Sequence, residues 1–150
     1  ILLGSDQGRK VYYKRLFSLV ERYSLTKKLK FISHCKEMPL AYSLADVVVS
    51  ASIEPEAFGR VAVESQAMGK PIVASNIGGS KETVLNKKSG FLYKHDDPRE
   101  LAKNLNTVIQ LNQEELKLMG NEGRKNVTKK FDVEVMCVSN LREYKKLLKS

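Results

Sequence analysis

Two short runs, Val47-Val48-Val49 and Ile72-Val73-Ala74, contain no polar residue. A strand with one face in water alternates apolar and polar side chains, so an unbroken β-branched run marks a strand buried on both faces, as in a parallel sheet covered by helices. The two runs are therefore expected to be adjacent and central in one parallel sheet. Helical patterns surround them, and strands alternating with helices imply an open α/β sheet.

Local signals place the other elements. Ile1-Leu2-Leu3-Gly4 reads as the end of a strand, and Tyr12, Leu16, Leu19 and Tyr23 mark one face of the helix that follows. Leu29-Lys30-Phe31-Ile32 is a short strand. Pro39 suits a first helical turn, because the N–H it lacks would be unpaired there, and Leu40, Leu44 and Ala45 supply the apolar side. Gly78-Gly79 makes a turn before a short helical stretch containing Glu82, and Gly90-Phe91-Leu92-Tyr93 is the last strand. Asp97-Pro98-Arg99-Glu100 combines an N-cap, a Pro at the first helical position and a capping-box acid, opening a helix to about Leu111 with Leu101, Leu105, Val108 and Ile109 inward. Asn112 with Glu115 repeats the cap signal. Asp132 opens a final helix with Leu141, Tyr144 and Leu148 on one face.

Between the two apolar runs the chain reads EAFGRVAVE from Glu56 to Glu64, two carboxylates separated by seven residues around a Phe-Gly turn. Glu56 lies in the polar stretch Ile53-Glu54-Pro55-Glu56-Ala57-Phe58-Gly59. Glu64 lies in a short helical pattern of Val61, Glu64, Ala67 and Met68 that Gly69 stops. The acids therefore sit at different levels, one on a loop and one a turn into a helix. Helix N–H groups beginning at Gly59-Arg60-Val61 have no intrahelical partner, and the macrodipole is positive there, so phosphate is expected between the two acids. Arg60 can reach such a phosphate in bidentate fashion or pair with Glu56 or Glu54. Gly78-Gly79 either brings backbone close to a ligand or only meets the positive φ of a tight turn.

Taken with the Gly69-Lys70-Pro71 and strand that follow, the run resembles the donor-binding motif of the retaining glycosyltransferases of family 4, which have the GT-B fold. In that family the first acid of Glu-x7-Glu contacts the transferred sugar and the second holds the ribose hydroxyls of the nucleotide. The resemblance thus implies Glu56 as the catalytic-site acid and Glu64 as the ribose ligand, with Phe58, Gly59, Arg60 and Val61 against the donor. It also implies that backbone near Ile32-Ser33 and side chains around Met38 contact the nucleobase. Nearly the whole chain can be laid on the C-terminal, nucleotide-sugar-binding half of such an enzyme, a Rossmann-like open parallel sheet with helices on both faces.

One departure accompanies the match. Family members begin this domain with a strand, a Gly-Arg loop and a downstream Lys-Gly whose basic side chains grip the donor diphosphate, and these residues have no counterpart here. In a strand order of 3-2-1-4-5-6 the first strand is central, so the chain is expected to start at the second. Residues 1–150 are expected to be an N-terminally truncated piece of a longer protein, or the product of a broken gene, without the acceptor domain. Unpaired ladder edges favour intermolecular pairing, which predicts a homodimer of the fragment or an aggregation-prone monomer.

The length of 150 residues suits one domain. No apolar stretch approaches the roughly 20 residues that span a bilayer, and no signal-peptide pattern opens the chain, so a cytoplasmic protein is expected. The two cysteines, Cys35 and Cys137, have neither metal nor redox spacing and are expected as free thiols. His34, in a loop at the carboxyl end of a strand, and His95, beside Asp96-Asp97, lack partners at metal-ligand spacing, so no metal site is expected. Ser80 has no Gly-x-Ser-x-Gly elbow to make it a hydrolase nucleophile. With 26 Lys+Arg against 17 Asp+Glu the net charge is +9, carried by pairs such as Lys27-Lys28 and Lys145-Lys146. A solvated face or attraction to an anionic membrane at its inner surface accounts for that charge better than nucleic acid, since the aromatics do not alternate with basic residues on a strand.

The function implied is the donor half of a retaining glycosyltransferase that moves a sugar from a nucleotide-sugar to an acceptor, in lipopolysaccharide or other envelope glycolipid synthesis, with no metal or other cofactor. The alternative is a non-catalytic nucleotide- or partner-binding module. Without the acceptor domain and the basic pair, the chain alone is expected to transfer nothing and to bind nucleotide weakly.

Overall fold

The computed structural model describes residues 1–148. The chain is α/β with every strand pairing parallel, and it divides into two compact units, Ile1–Ala41 and Tyr42–Ser150.

In the first unit β1 (Leu2–Leu3) pairs with β2 (Phe31–Ile32), Leu2 opposite Phe31 and Leu3 opposite Ile32. The connection is α1 (Lys10–Arg22). Of the expected stripe Tyr12-Leu16-Leu19-Tyr23, Leu16 and Leu19 are half-buried, but Tyr12 and Tyr23 are 58% and 63% exposed, and the buried residue of the helix is Val20. Half-buried Tyr13 and the more exposed Phe17 make the ring contacts with β2, Phe17 stacking on Phe31 at 4.3 Å between ring centres and Tyr13 meeting both rings edge-on. Aromatic pairs of this kind add to simple area burial. The helix α2 (Met38–Ser43) carries Pro39 in its first turn as expected, but Leu40 and Leu44 lie exposed and its buried side chain is Tyr42.

The second unit holds β3 (Val48–Ser50), α3 (Arg60–Ala67), β4 (Ile72–Ser75), α4 (Ser80–Thr83), β5 (Gly90–Tyr93), α5 (Pro98–Ile109), α6 (Gln113–Phe131) and α7 (Val133–Leu147). Its strand order is β3-β4-β5, with Val49 opposite Val73 and Val73 opposite Phe91. The two apolar runs are adjacent as expected, but only one is central. All four residues of β4 are fully buried, so both faces of that strand are covered, whereas β3 stands at the edge of the ladder with Val49 42% exposed. The described strands thus form two separate ladders, β1-β2 and β3-β4-β5.

The core joins Val73, Tyr93 and Val108, with Leu101 and Leu105 of α5 packed around them. Ile109, expected inward, is 70% exposed because the stripe that faces the sheet runs at Leu101, Leu105 and Val108 and leaves the next residue beyond its edge. Asp97 caps α5 by accepting from the N–H groups of Arg99 and Glu100. The Glu100 carboxylate, however, accepts from the Lys94 N–H instead of closing a capping box; the full box forms at Asn112 and Glu115. Long α6 lies close on α3, where Gly120 and Gly123 leave room for Gly69 and Gln66. The final helix buries none of its residues; Leu141 and Tyr144 are exposed.

Candidate functional site

The sheet delivers two loops, one after β3 and one after β4, and their backbones touch. The Gly79 N–H donates to the Glu56 carbonyl at 2.9 Å. A Cβ on Gly78 would fall 2.4 Å from the Glu56 carbonyl oxygen, and one on Gly79 would fall 2.4 Å from that of Phe58. Positive φ explains only Gly78, at 54°, because Gly79 has a helical φ of −62°. At Gly79 the requirement is the absence of a side chain where another backbone passes. These glycines hold the loop of Glu56 and Phe58 in place.

Gly59 then turns the chain into α3. It is buried, its φ of 75° lies in the left-handed region, and no side chain caps the helix it begins. Ala62 and Val63 both donate to the Gly59 carbonyl, so the first helical bonds start there and the N–H groups of Gly59, Arg60 and Val61 precede the intrahelical ladder. Donors and the positive end of the macrodipole therefore coincide at this turn.

Glu56 is exposed on the loop, and one of its carboxylate oxygens accepts from the hydroxyl of Ser52. Glu64 is one turn into α3, as expected, and is held more closely. Its Oε2 accepts from the Tyr42 hydroxyl at 2.9 Å, while its Oε1 accepts from Arg60 Nε at 3.0 Å and Nη2 at 2.7 Å. Arg60 thus pairs with Glu64, four residues on, and with neither Glu56 nor Glu54; helical spacing makes that partner the near one. This pairing pushes the Arg60 guanidinium further up. Burial, and then the bond to Glu64, pushes the Tyr42 phenol well above its ordinary range, so it remains a proton donor. The Phe58 ring packs edge-on against Phe131, 5.6 Å between centres.

Glu56, Phe58, Gly59, Arg60, Val61 and Glu64 are thereby brought together within one unit. Ser33, exposed after β2, and Met38, half-buried at the start of α2, belong to the other. Tyr42 and Ser52 are the two partners that sequence reasoning passed over. Tyr42 carried one signal, a phenol among apolar helix positions, since a buried Tyr usually finds a partner for its hydroxyl. Ser52 carried none, because loop spacing does not predict contact. Cys35 and Cys137 are both free thiols. Among the described residues no helix is long and apolar enough to cross a membrane.

Comparison with known proteins accounts for this layout. Residues 3–126 match the family model of glycosyl transferases group 1. The chain is 37% identical over 98 residues to a D-inositol 3-phosphate glycosyltransferase of Corynebacterium urealyticum, an alignment covering 64% of this chain and 23% of that protein. A glycosyltransferase structure from Rickettsia africae superposes with a TM-score of 0.92 at 32% identity, covering 99% of this chain and 39% of the other. HepE from Anabaena, solved in complex with UDP and glucose, gives 0.86 at 29% identity, covering 95% and 40%. The chain spans about a quarter of the length of the curated relatives it matches. A parallel α/β sheet, an uncapped helix N-terminus between two acids, and a family match over residues 3–126 lead to one conclusion: the chain belongs to the group 1 glycosyl transferases, with the fold of the C-terminal domain of a GT-B enzyme.

Proposed function

We propose that this chain forms the donor side of a retaining glycosyltransferase, holding a nucleoside diphosphate sugar while the sugar passes to an acceptor of envelope glycolipid type. The observation that carries the reading is the uncapped N-terminus of α3 at Gly59-Arg60-Val61, flanked by Glu56 before it and Glu64 within it. In this reading the diphosphate accepts from those N–H groups and lies against the positive end of the helix, an electrostatic role fixed before the ligand arrives. Glu64 accepts from the ribose hydroxyls. Glu56 faces the sugar being transferred, whose charge changes in the transition state, and Ser33 and Met38 meet the base. Charge on the leaving diphosphate is met by the helix and by basic side chains, without a metal. Retention means that leaving diphosphate and incoming hydroxyl share one face of the sugar. The UDP and glucose bound by HepE of Anabaena support a nucleotide-sugar as the ligand class.

Calorimetric titration with UDP, ADP and GDP tests the binding part. Glu64→Ala should weaken the nucleotide that binds by about 1.5–3 kcal/mol, the range for a hydrogen bond to a charged group. Glu56→Ala should spare nucleotide binding and, in the protein that carries this domain, depress turnover. If Glu56→Ala abolished nucleotide binding and Glu64→Ala left it intact, the two roles would be reversed. The anomeric configuration of the product, read by NMR, decides retention; an inverted product would end that part of the reading.

A further inference from the structure

Resting on the reading of Glu64 as the ribose ligand, we propose that Tyr42 is the positioning residue for that acid, and that the discrimination of ribose from a sugar without hydroxyls depends on the Tyr42 hydroxyl. Glu64 has two partners of unlike character. Arg60 is 82% exposed along its side chain and donates from Nε and Nη2 to the same oxygen, Oε1. A guanidinium that grips a carboxylate by both oxygens fixes its plane, but two donors on one oxygen do not, and an exposed ion pair is weakened by salt. Tyr42 reaches the other oxygen from outside α3, 22 residues earlier in the chain, and is itself only 6% exposed. Its ring has two rotatable bonds and is held by burial, so the direction of its hydroxyl is set by the fold.

The count of acceptor sites gives each partner a distinct task. An ionised carboxylate offers about four lone-pair sites, two on each oxygen. Arg60 occupies both of those on Oε1, and Tyr42 occupies one of those on Oε2. One site on Oε2 is therefore open while Arg60 is in place. When the exposed Arg60 swings toward an arriving anion, Oε1 opens as well, and the carboxylate can accept from both members of a vicinal diol. Tyr42 stays throughout and keeps the plane of the carboxylate. Arg60 is the exchangeable partner and Tyr42 the permanent one.

Ligand-observed NMR on the full 150-residue chain tests this with UDP, ADP and GDP, each against its 2′,3′-dideoxy counterpart. The parent chain should prefer the ribose form. Tyr42→Phe keeps the buried ring and removes only the hydroxyl; it should weaken the ribose ligand about tenfold and leave the dideoxy ligand unchanged. Arg60→Ala should keep the preference. If Tyr42→Phe weakens both ligands equally, or neither, Tyr42 only supports the fold and the proposal fails while the ribose role of Glu64 stands. If Glu64→Ala retains the preference for ribose, the role of Glu64 itself is wrong and both readings fall. Binding of none of the three nucleotides by the parent chain would also end both.

Discussion

The side-chain amide of Asn126 on α6 donates to the carbonyl of Thr83 at the end of α4, 3.0 Å away and 43 residues distant in sequence, and the same carbonyl accepts from Gln66 of α3 at 3.0 Å. All three residues are buried. One carbonyl thus ties the helix that carries Glu64 to the helix that follows the Gly78-Gly79 loop and to the long helix behind them. Because Thr83 keeps one donor when the other is lost, single replacements should cost less than the pair.

A double-mutant cycle measures this sharing. Asn126→Ala and Gln66→Met should each destabilise by about 1 kcal/mol, and together they should leave the carbonyl buried without a donor, at about 1–3 kcal/mol more than additive. Urea titration of the four proteins gives the coupling energy. Strict additivity would mean that the two bonds act independently.

Two glycines on α6 should respond differently to the same change. At Gly120 a Cβ would lie 1.9 Å from the Gly69 carbonyl oxygen, a contact with backbone that only moving one helix can relieve. At Gly123 the nearest atom is the Gln66 side-chain Cγ at 3.0 Å, which has to give by only a few tenths of an ångström. Alanine gains about 1 kcal/mol over glycine in a helix interior, so the sign at each site depends on the clash. Gly120→Ala should lose about 1–3 kcal/mol net, as overpacked interiors do, and Gly123→Ala should be near neutral. Thermal melts that ranked the two in the opposite order would refute the packing argument.

The loop contact behind the site is testable through Gly79. Its backbone is helical, so Gly79→Ala introduces no φ penalty, and the added methyl meets the Phe58 carbonyl oxygen at 2.4 Å. The loop of Glu56 and Phe58 must shift to accommodate it. We expect at least a severalfold loss of nucleoside diphosphate affinity, comparable to the loss of one hydrogen bond of about 1 kcal/mol. Unchanged titration would show that the loop position does not matter for binding.

Some of this arrangement was legible in the residues alone, and the reasons differ by element. Runs without polar residues identified β3 and β4, and capping chemistry identified α5 and α6, because burial and orphan backbone donors act on a few neighbouring residues. The placement of Glu64 one turn into α3 followed from the same local pattern. Contacts across the fold did not follow. That Tyr42 faces inward while Leu40 and Leu44 lie exposed depends on which side of a six-residue helix meets α3, a tertiary fact with no local signature. Arg60 had three acids within reach in sequence, and only the built helix selects Glu64. Gly79 looked like a turn residue, yet its cause is another loop 21 residues earlier.

The Tyr42–Glu64 bond also predicts how stability depends on alkaline pH. An unfolded tyrosine titrates near its ordinary value of about 10. In the folded chain burial, the bond to Glu64 and the charge of Glu64 all raise that value, with Arg60 opposing, so between the two values the unfolded state has released a proton that the folded state keeps. Stability from this group is therefore fully present below about pH 10 and is lost progressively as pH rises above it. Tyr42→Phe removes the titrating group along with the bond. The variant should be less stable than the parent by about 1–3 kcal/mol at pH 8, for a hydrogen bond to a charged acceptor, and this gap should narrow at pH 10.5. Tyr93, also raised by burial, is present in both proteins and cancels in the difference. Urea titrations of parent and variant at the two pH values give the gap directly, and a gap that widens with pH would mean that the phenol is not the donor to Glu64.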